Sequence, residues 1–158
     1  SKLAGYDLSN PFYEVLRERL KVIILDGLNV HGHLTLHSGM ALGADTVWSQ
    51  TILAMRHHYP DSVSFVAEVP VMTQSDRWPS QLDRDRWRSH VEAADVVNVY
   101  AESYSPKCLW DRNHGMIDAS SLLLAVWDGK PGGGTAGAVD YARRAGREVF
   151  VLDPTRFR

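Results

Sequence analysis

The sequence predicts an α/β domain with a Rossmann-like, doubly wound architecture, in which helices cover both faces of a mostly parallel sheet. Five short apolar runs alternate along the chain with stretches of helical periodicity. Parallel neighbouring strands need crossover connections, which are usually helical, so this alternation favours a parallel sheet. The length of 158 residues fits one domain. We therefore expect a single domain over residues 1–158.

The first half of the chain begins with a helix signal and continues as a strand, a helix and a strand. Asn10 followed by Pro11 is typical of a helix start, and apolar residues at helical spacing extend that helix to about Leu25. Residues 26–32 are turn-rich and are predicted to be a loop. Periodicity and β-branched content then predict a strand at 34–37, a helix at 44–58 and a strand at 63–69 ending at Pro70.

The second half repeats the alternation. The patterns predict a helix at 80–94, a strand at 96–100, a helix at 106–119, a strand at 122–127, a helix at 135–145 ended by Gly146, and a strand at 148–152. The charged segment 73–88, which contains two tryptophans, is predicted to be an exposed, mobile flap.

Composition and charge exclude several classes of function. Nineteen acidic against 17 basic residues give a formal charge of -2, so a nucleic-acid partner is not expected. No apolar run approaches the roughly 18 residues that cross a bilayer, and no membrane contact is expected. Cys108 is the only cysteine, which excludes an intramolecular disulfide. The single cysteine, together with residues 1–5, which carry no leader pattern, favours a cytoplasmic location. The scattered histidines predict no metal site, and a homo-oligomer is left open.

Two loops that follow strands have the composition of phosphate-binding loops. In open α/β sheets ligands bind beyond the carboxyl ends of the strands, where glycines allow close approach and helix N–H groups face the ligand. One loop spans 38–45 and the other 127–135; each could instead be a tight turn or a flexible connection. Their candidate ligand-binding residues are Ser38, Gly39, Met40, Ala41, Gly43, Asp45, Asp128, Gly132, Gly133, Gly134 and Thr135.

Four further polar residues are candidates for the same pocket. Arg112, Asn113 and Asp118 lie on the helix predicted after the strand at 96–100, where Arg112 could pair with a phosphate or remain solvated. Glu68 ends an otherwise apolar strand, where a carboxylate needs a partner such as a ribose diol, unless that strand is a solvated edge.

With these residues in view, the chain resembles the YpsA-like family of the SLOG superfamily, whose Rossmann-like domains are related to DprA and to the LOG phosphoribohydrolases. The segments that carry the resemblance are Lys2 to Asp7, Ser38 to Asp45, Arg112-Asn113 with Met116 to Asp118, and Ala125 to Gly129 leading into Pro131-Gly132-Gly133. It implies a phosphate or nucleotide pocket formed by two glycine loops.

Two departures from the family pattern qualify what the resemblance implies. Family members begin with a strand that ends in a Thr-Gly-His-Arg-like turn, and the present sequence is expected to lack that strand. The LOG enzymes carry Pro-Gly-Gly-x-Gly-Thr-x-x-Glu, and Ala138 stands where the catalytic Glu would fall.

The sequence therefore predicts a module that binds or senses a nucleotide or a nucleotide derivative. An ADP-ribose-like ligand is included, and no cofactor is firmly expected. The alternative is an N-glycosidic hydrolase acting on nucleoside monophosphates, with Glu68 or Asp118 as the catalytic carboxylate.

Overall fold

A computed structural model of the chain describes residues 3–157 and shows five helices and five strands in alternation. Lys2, which opens the N-terminal segment of the resemblance, lies outside the described residues. The elements are α1 (Pro11–His31), β1 (Leu34–Ser38), α2 (Ala44–His58), β2 (Val63–Val71), α3 (Gln81–Ala93), β3 (Val96–Ala101), α4 (Pro106–Asp118), β4 (Leu122–Val126), α5 (Gly133–Arg144) and β5 (Glu148–Leu152). Short 3-10 helices span Leu3–Tyr6 and Pro154–Arg156.

The α/β fold class is confirmed, and its strands form two parallel ladders. One ladder has the order β1-β2-β3, and the other pairs β4 with β5. The chain was expected to build one sheet, but β1 and β4 are not hydrogen-bonded to each other, so the sheet is divided between them.

Helices cover both faces of the two ladders. The helices α1, α2 and α3 pack on one face, where Ile24 and Leu28 of α1 join the core around β1 and β2. Farther toward the N-terminus of α1, Tyr13, Leu16 and Leu20 pack with Leu124, Val126 and Leu152 of the second ladder. The helices α4 and α5 cover the opposite face, against Leu123 and Val149. Because α1 contacts both ladders, it holds them together across the division.

The first helix is longer than predicted. Its start is as expected, because the Asn10 side chain accepts the Phe12 N–H at 2.9 Å. The prediction of a loop at 26–32 is wrong: the helix continues to His31 and stops at Gly32, whose φ is 74°. Gly27 is helical and permits close contact, since a Cβ there would lie 2.9 Å from Leu34 Cδ1. That glycine is a packing residue and not a turn residue.

Two other segments differ from the prediction. Strand β2 extends through Pro70 to Val71, so Glu68 lies inside the strand rather than at its end. The segment 73–88 is exposed at many positions, as predicted, but it is packed on the domain and is not a detached flap. Its second half belongs to α3, Trp78 packs on the core, and Trp87 is buried with its Nε1 donating to Gln74 at 2.9 Å.

Among the described residues, no helix is both long and apolar enough to cross a membrane.

Candidate functional site

The two predicted glycine loops border one cavity at the carboxyl ends of β1 and β4. This cavity has a volume of about 330 Å³ and is called the carboxyl-edge cavity below. Seven of the candidate residues line it: Gly39, Ala41, Asp45, Arg112, Asn113, Gly134 and Thr135. The remaining wall is largely apolar: Tyr6, Leu20, Leu42, Ala44, Trp48, Met116, Leu123, Leu124, Ala125, Val126 and Ala138.

The loop after β1 is fixed by internal hydrogen bonds. Ser38 is buried, and its Oγ accepts the Met40 N–H at 3.3 Å and the Ser49 hydroxyl at 2.9 Å. Met40 has a φ of 60° and is buried in the core, so its backbone turns the loop while its side chain faces away from the cavity. The Asp45 carboxylate closes the loop by accepting the Ala41 N–H at 3.1 Å. These bonds make the loop rigid without a ligand.

Two glycines of this loop have distinct steric roles. A Cβ at Gly39 would lie 2.8 Å from Arg112 Nη1 and 3.0 Å from Asp45 Oδ2, so the glycine lets both charged groups approach the backbone. Gly43 is buried with a φ of 99°, and a Cβ there would lie 2.9 Å from the Tyr6 ring. Gly43 thus positions the start of α2 and does not itself line the cavity.

Arg112 is the one cationic side chain that lines the cavity within the described part of the chain. It is only 7% exposed. Its Nη1 donates to the Gly39 carbonyl, and its Nε donates to Asn113 Oδ1 at 2.8 Å. Across residues 3–157 it forms no ion pair, and its Nη2 has no hydrogen-bond acceptor. A buried cation with a free donor is the arrangement that an anion would complete.

Burial shifts the pKa values of the two charged groups of the cavity in opposite directions. Burial raises the pKa of Asp45, while the Arg112 charge and the Ala41 N–H act against the rise. Burial lowers the pKa of Arg112, and the Asp45 charge acts against that change. Each charge therefore depends partly on the other, and an anion bound beside Arg112 would further favour its charged form.

Two helices direct uncapped N-termini toward the cavity. Neither Gly43, which precedes α2, nor Gly132, which precedes α5, provides a side-chain cap. Gly132 and Gly133 have φ values of 87° and 85° and are exposed; they shape the start of α5, whereas Gly134 and Thr135 line the cavity. Free N–H groups and the helix dipole at such a terminus favour an anion.

Glu68 does not line the cavity. It is fully buried, where His37 Nδ1 lies 2.9 Å from its Oε1, Asn98 donates to the same oxygen at 3.2 Å, and Tyr100 donates to Oε2 at 2.8 Å. Burial raises the pKa of Glu68, but these hydrogen bonds together outweigh it and the net pKa is lowered from 4.5. The interpretation as a solvated edge residue is wrong, because partners on β1 and β3 surround it.

Asp118 and Asp128 also lie away from the cavity. Asp118 ends α4 at the opposite edge of the sheet, where it is exposed and accepts the Tyr141 hydroxyl at 2.7 Å. Asp128 closes its own turn by accepting the Lys130 N–H at 3.1 Å. The candidate set placed both residues in the pocket, but neither lines the cavity. Five helical residues separate Asp118 from Arg112, and the Asp128 carboxylate bonds within its own loop.

Sequence reasoning missed the apolar half of the wall. Helical spacing could have found part of it, since Met116 lies four residues after Arg112 and Trp48 lies three after Asp45. Local periodicity could not place the β4 residues in the wall, because only the fold brings β4 beside the loop that follows β1. In residues 3–157, no group of three or more His, Cys, Asp or Glu side chains could hold a metal ion.

Comparison with known proteins shows a distant similarity. No family model matches the chain. The chain is similar to the uncharacterized SPbeta prophage-derived protein YoqJ of Bacillus subtilis (strain 168), with 26% identity over 164 residues that cover 93% of this chain and 92% of that protein. The similarity spans nearly the whole of both proteins.

Proposed function

We propose that this protein binds a nucleotide or a nucleotide derivative, with a phosphate in the carboxyl-edge cavity. The observation that carries the proposal is Arg112, a buried guanidinium that lines the cavity and whose Nη2 has no hydrogen-bond acceptor and no ion pair in the described structure. The uncapped starts of α2 and α5 add backbone donors beside it. Membership of the YpsA-like family, which the sequence resemblance implies, is part of the same proposal.

A nucleotide fits this cavity better than a bare inorganic anion. The carboxylate of Asp45 lines the same cavity, and one of its oxygens makes no hydrogen bond among the described residues. A carboxylate repels phosphate but accepts hydroxyl donors such as those of a ribose. The apolar wall that includes Trp48 and Met116 would contact a base. Charged and apolar surfaces thus lie together in one site of ligand size.

The proposal does not extend to hydrolysis. Glu68 is enclosed by its three partners, and Asp118 lies at the opposite edge. A general acid or base must reach the proton that it transfers, and neither carboxyl group borders the cavity.

The test is calorimetric titration with adenosine monophosphate, ADP-ribose and adenosine. We expect the two phosphate-bearing compounds to bind and adenosine to bind much more weakly. Arg112→Gln removes a charge-assisted contact that contributes about 1.5–3 kcal/mol, so the Kd should rise roughly 10- to 150-fold. Arg144→Gln is the matched control, because Arg144 is exposed near the far end of α5.

A second variant separates binding from folding. Thr135→Glu places a carboxylate in the first turn of α5, where the helix dipole stabilises negative charge but a bound phosphate would be repelled. We expect unchanged thermal stability and lost binding of adenosine monophosphate. Equal affinities in the wild type, Arg112→Gln and Thr135→Glu would refute the proposed site.

A further inference from the structure

A half-exposed tryptophan lies beside the mouth of the carboxyl-edge cavity. The cavity opens to solvent at the start of α5, because Gly134 and Thr135 line it and are themselves exposed. The ring of Trp110 packs against Gly137, which lies three residues after Gly134. On α4, Trp110 precedes the cavity-lining Asn113 by three residues, so both lie on one side of that helix. Trp110 is 52% exposed and therefore borders the mouth of the cavity rather than its interior.

Neighbouring rings hold the indole of Trp110 in place. The His114 ring meets it in a T-shaped contact, with 5.5 Å between the ring centroids, and His114 is itself stacked on Tyr141 at 3.8 Å. The Tyr141 hydroxyl donates to Asp118 at 2.7 Å, which anchors the far end of this row of rings. A T-shaped contact uses the edge of one ring, so it leaves at least one face of the indole free of the histidine. Trp110 thus offers a fixed planar surface to a ligand.

Gly137 lets the indole lie close against α5. The three atoms nearest to a Cβ at this position all belong to the Trp110 ring, and the closest, Cη2, would be 3.1 Å away. Glycine disfavours a helix interior relative to alanine, so helix stability does not explain this residue. Packing between α4 and α5 does not fully explain it either, since about half of the indole remains exposed. A ligand at the mouth of the cavity explains both the glycine and the exposed ring.

The surroundings of Trp110 select an uncharged planar group. Lys107 and Asp111, which flank it on α4, pair with each other at 2.6 Å, so their charges are mutually compensated. In the part of the chain that the structure describes, the indole N–H has no hydrogen-bond acceptor, and a ring nitrogen or a carbonyl would accept it. Aromatic heterocycles combine such acceptors with a flat face that stacks on an aromatic side chain.

The cavity is small for a ligand with two bases. Its volume of about 330 Å³ is near the lower end of the roughly 300–1,000 Å³ that is typical of ligand pockets. Its apolar wall, which includes Trp48 and Met116, provides a surface for one base. A second nucleoside joined through phosphates at Arg112 would therefore extend through the mouth, where Trp110 lies.

We propose that Trp110 stacks on the second base of a dinucleotide whose first nucleoside and phosphates occupy the carboxyl-edge cavity. This inference rests on the proposed function and narrows it, because it names two nucleosides joined through phosphates as the ligand class. The space beside the mouth is open, since a Cβ at Gly133 or Gly134 would meet no atom within 4 Å. A mononucleotide would use the cavity alone.

The test compares three ligands by calorimetric titration: adenosine monophosphate, ADP-ribose and diadenosine diphosphate. ADP-ribose is the matched ligand, because it has the same two phosphates and second ribose but no second base. Stacking of one base on an aromatic side chain increases affinity roughly 5- to 150-fold, so diadenosine diphosphate should bind more tightly than ADP-ribose by such a factor.

Substitutions at Trp110 assign this gain to the indole. Trp110→Ala should remove the gain and leave the affinity for ADP-ribose nearly unchanged, and Trp110→Phe should keep part of the gain. Tyr59→Ala is the matched control, because Tyr59 is an exposed aromatic residue at the far end of α2 from the cavity. It should change the affinity for neither ligand.

Gly137→Ala separates ligand stacking from helix packing. The added Cβ should displace the half-exposed indole while alanine favours the helix, so the second base should lose affinity without a fall in the Tm. Equal affinity of the wild type for diadenosine diphosphate and ADP-ribose, or a full gain in Trp110→Ala, would overturn this inference and leave the proposed function standing. Absence of binding by all three ligands would overturn both.

Discussion

Replacing Glu68 with Gln tests whether the buried carboxylate is a structural acceptor. Its two oxygens receive three contacts, from His37, Asn98 and Tyr100, on strands at both sides of β2. Gln preserves the shape and one acceptor, and the Tyr100 hydroxyl can reverse to accept from the new amide. What is lost is the charge on the acceptor.

The expected cost follows from the number of contacts. A hydrogen bond to a charged group contributes about 1.5–3 kcal/mol and a neutral one about 0.5–1.5 kcal/mol. Weakening three contacts by about 1 kcal/mol each lowers the free energy of unfolding by about 3 kcal/mol. Urea denaturation at pH 7 measures this difference. Glu148→Gln is the matched control, because Glu148 is exposed at the start of β5 and should change stability by less than about 0.5 kcal/mol.

The effect also has a defined pH dependence. The pKa of Glu68 is lower in the folded protein than its ordinary value of 4.5, so ionised Glu68 stabilises the fold above that pH. This stabilisation is lost as the pH falls through the folded pKa, and the difference between wild type and Glu68→Gln should shrink there. A cost below about 1 kcal/mol at pH 7, or a difference that grows at acidic pH, would refute the role assigned to the network.

Three further changes test the capping, packing and chemistry of the fold. Asn10→Ala removes the cap of α1 and should lower the free energy of unfolding by about 1 kcal/mol in urea; an unchanged value would contradict the cap. Gly115→Ala places a Cβ against the Tyr100 ring and should lower the free energy of unfolding by about 1–3 kcal/mol. It should also reduce the effect of Glu68→Gln in a double mutant, and additive losses of stability would contradict the coupling of the two sites. Chromatography should show no base release from nucleoside monophosphates by the wild type or by Glu68→Gln. Ala138→Glu is the variant that returns a carboxylate to the cavity wall. Wild-type turnover that disappears in Glu68→Gln would contradict the binding proposal.

Much of the fold could be predicted because periodicity reports burial directly. The strand at 148–152 and the helix at 44–58 have the predicted bounds. The end of α1 was mispredicted because glycine, at position 27, is a residue type typical of turns. Only the contact of Gly27 with Leu34 shows why a glycine belongs inside that helix.

The candidate site could be predicted only in part. Sequence position identified both glycine loops, but it could not show that Ser38 and Met40 face the core while Ala41 faces the cavity. The same limit applied to Glu68, whose three partners lie about 30 residues away along the chain on either side. Long-range contacts of this kind leave no local pattern.

The central claim is that a phosphate binds between Arg112 and the starts of α2 and α5. Its most direct test is a titration of the isotope-labelled protein with adenosine monophosphate, followed by NMR, with adenosine as the control. We expect the phosphate-bearing ligand to shift the amide resonances of Asp45, Gly134 and Thr135 and the guanidinium signals of Arg112, and adenosine to leave them in place. Saturable shifts confined to other regions, or no shifts with adenosine monophosphate, would contradict the account.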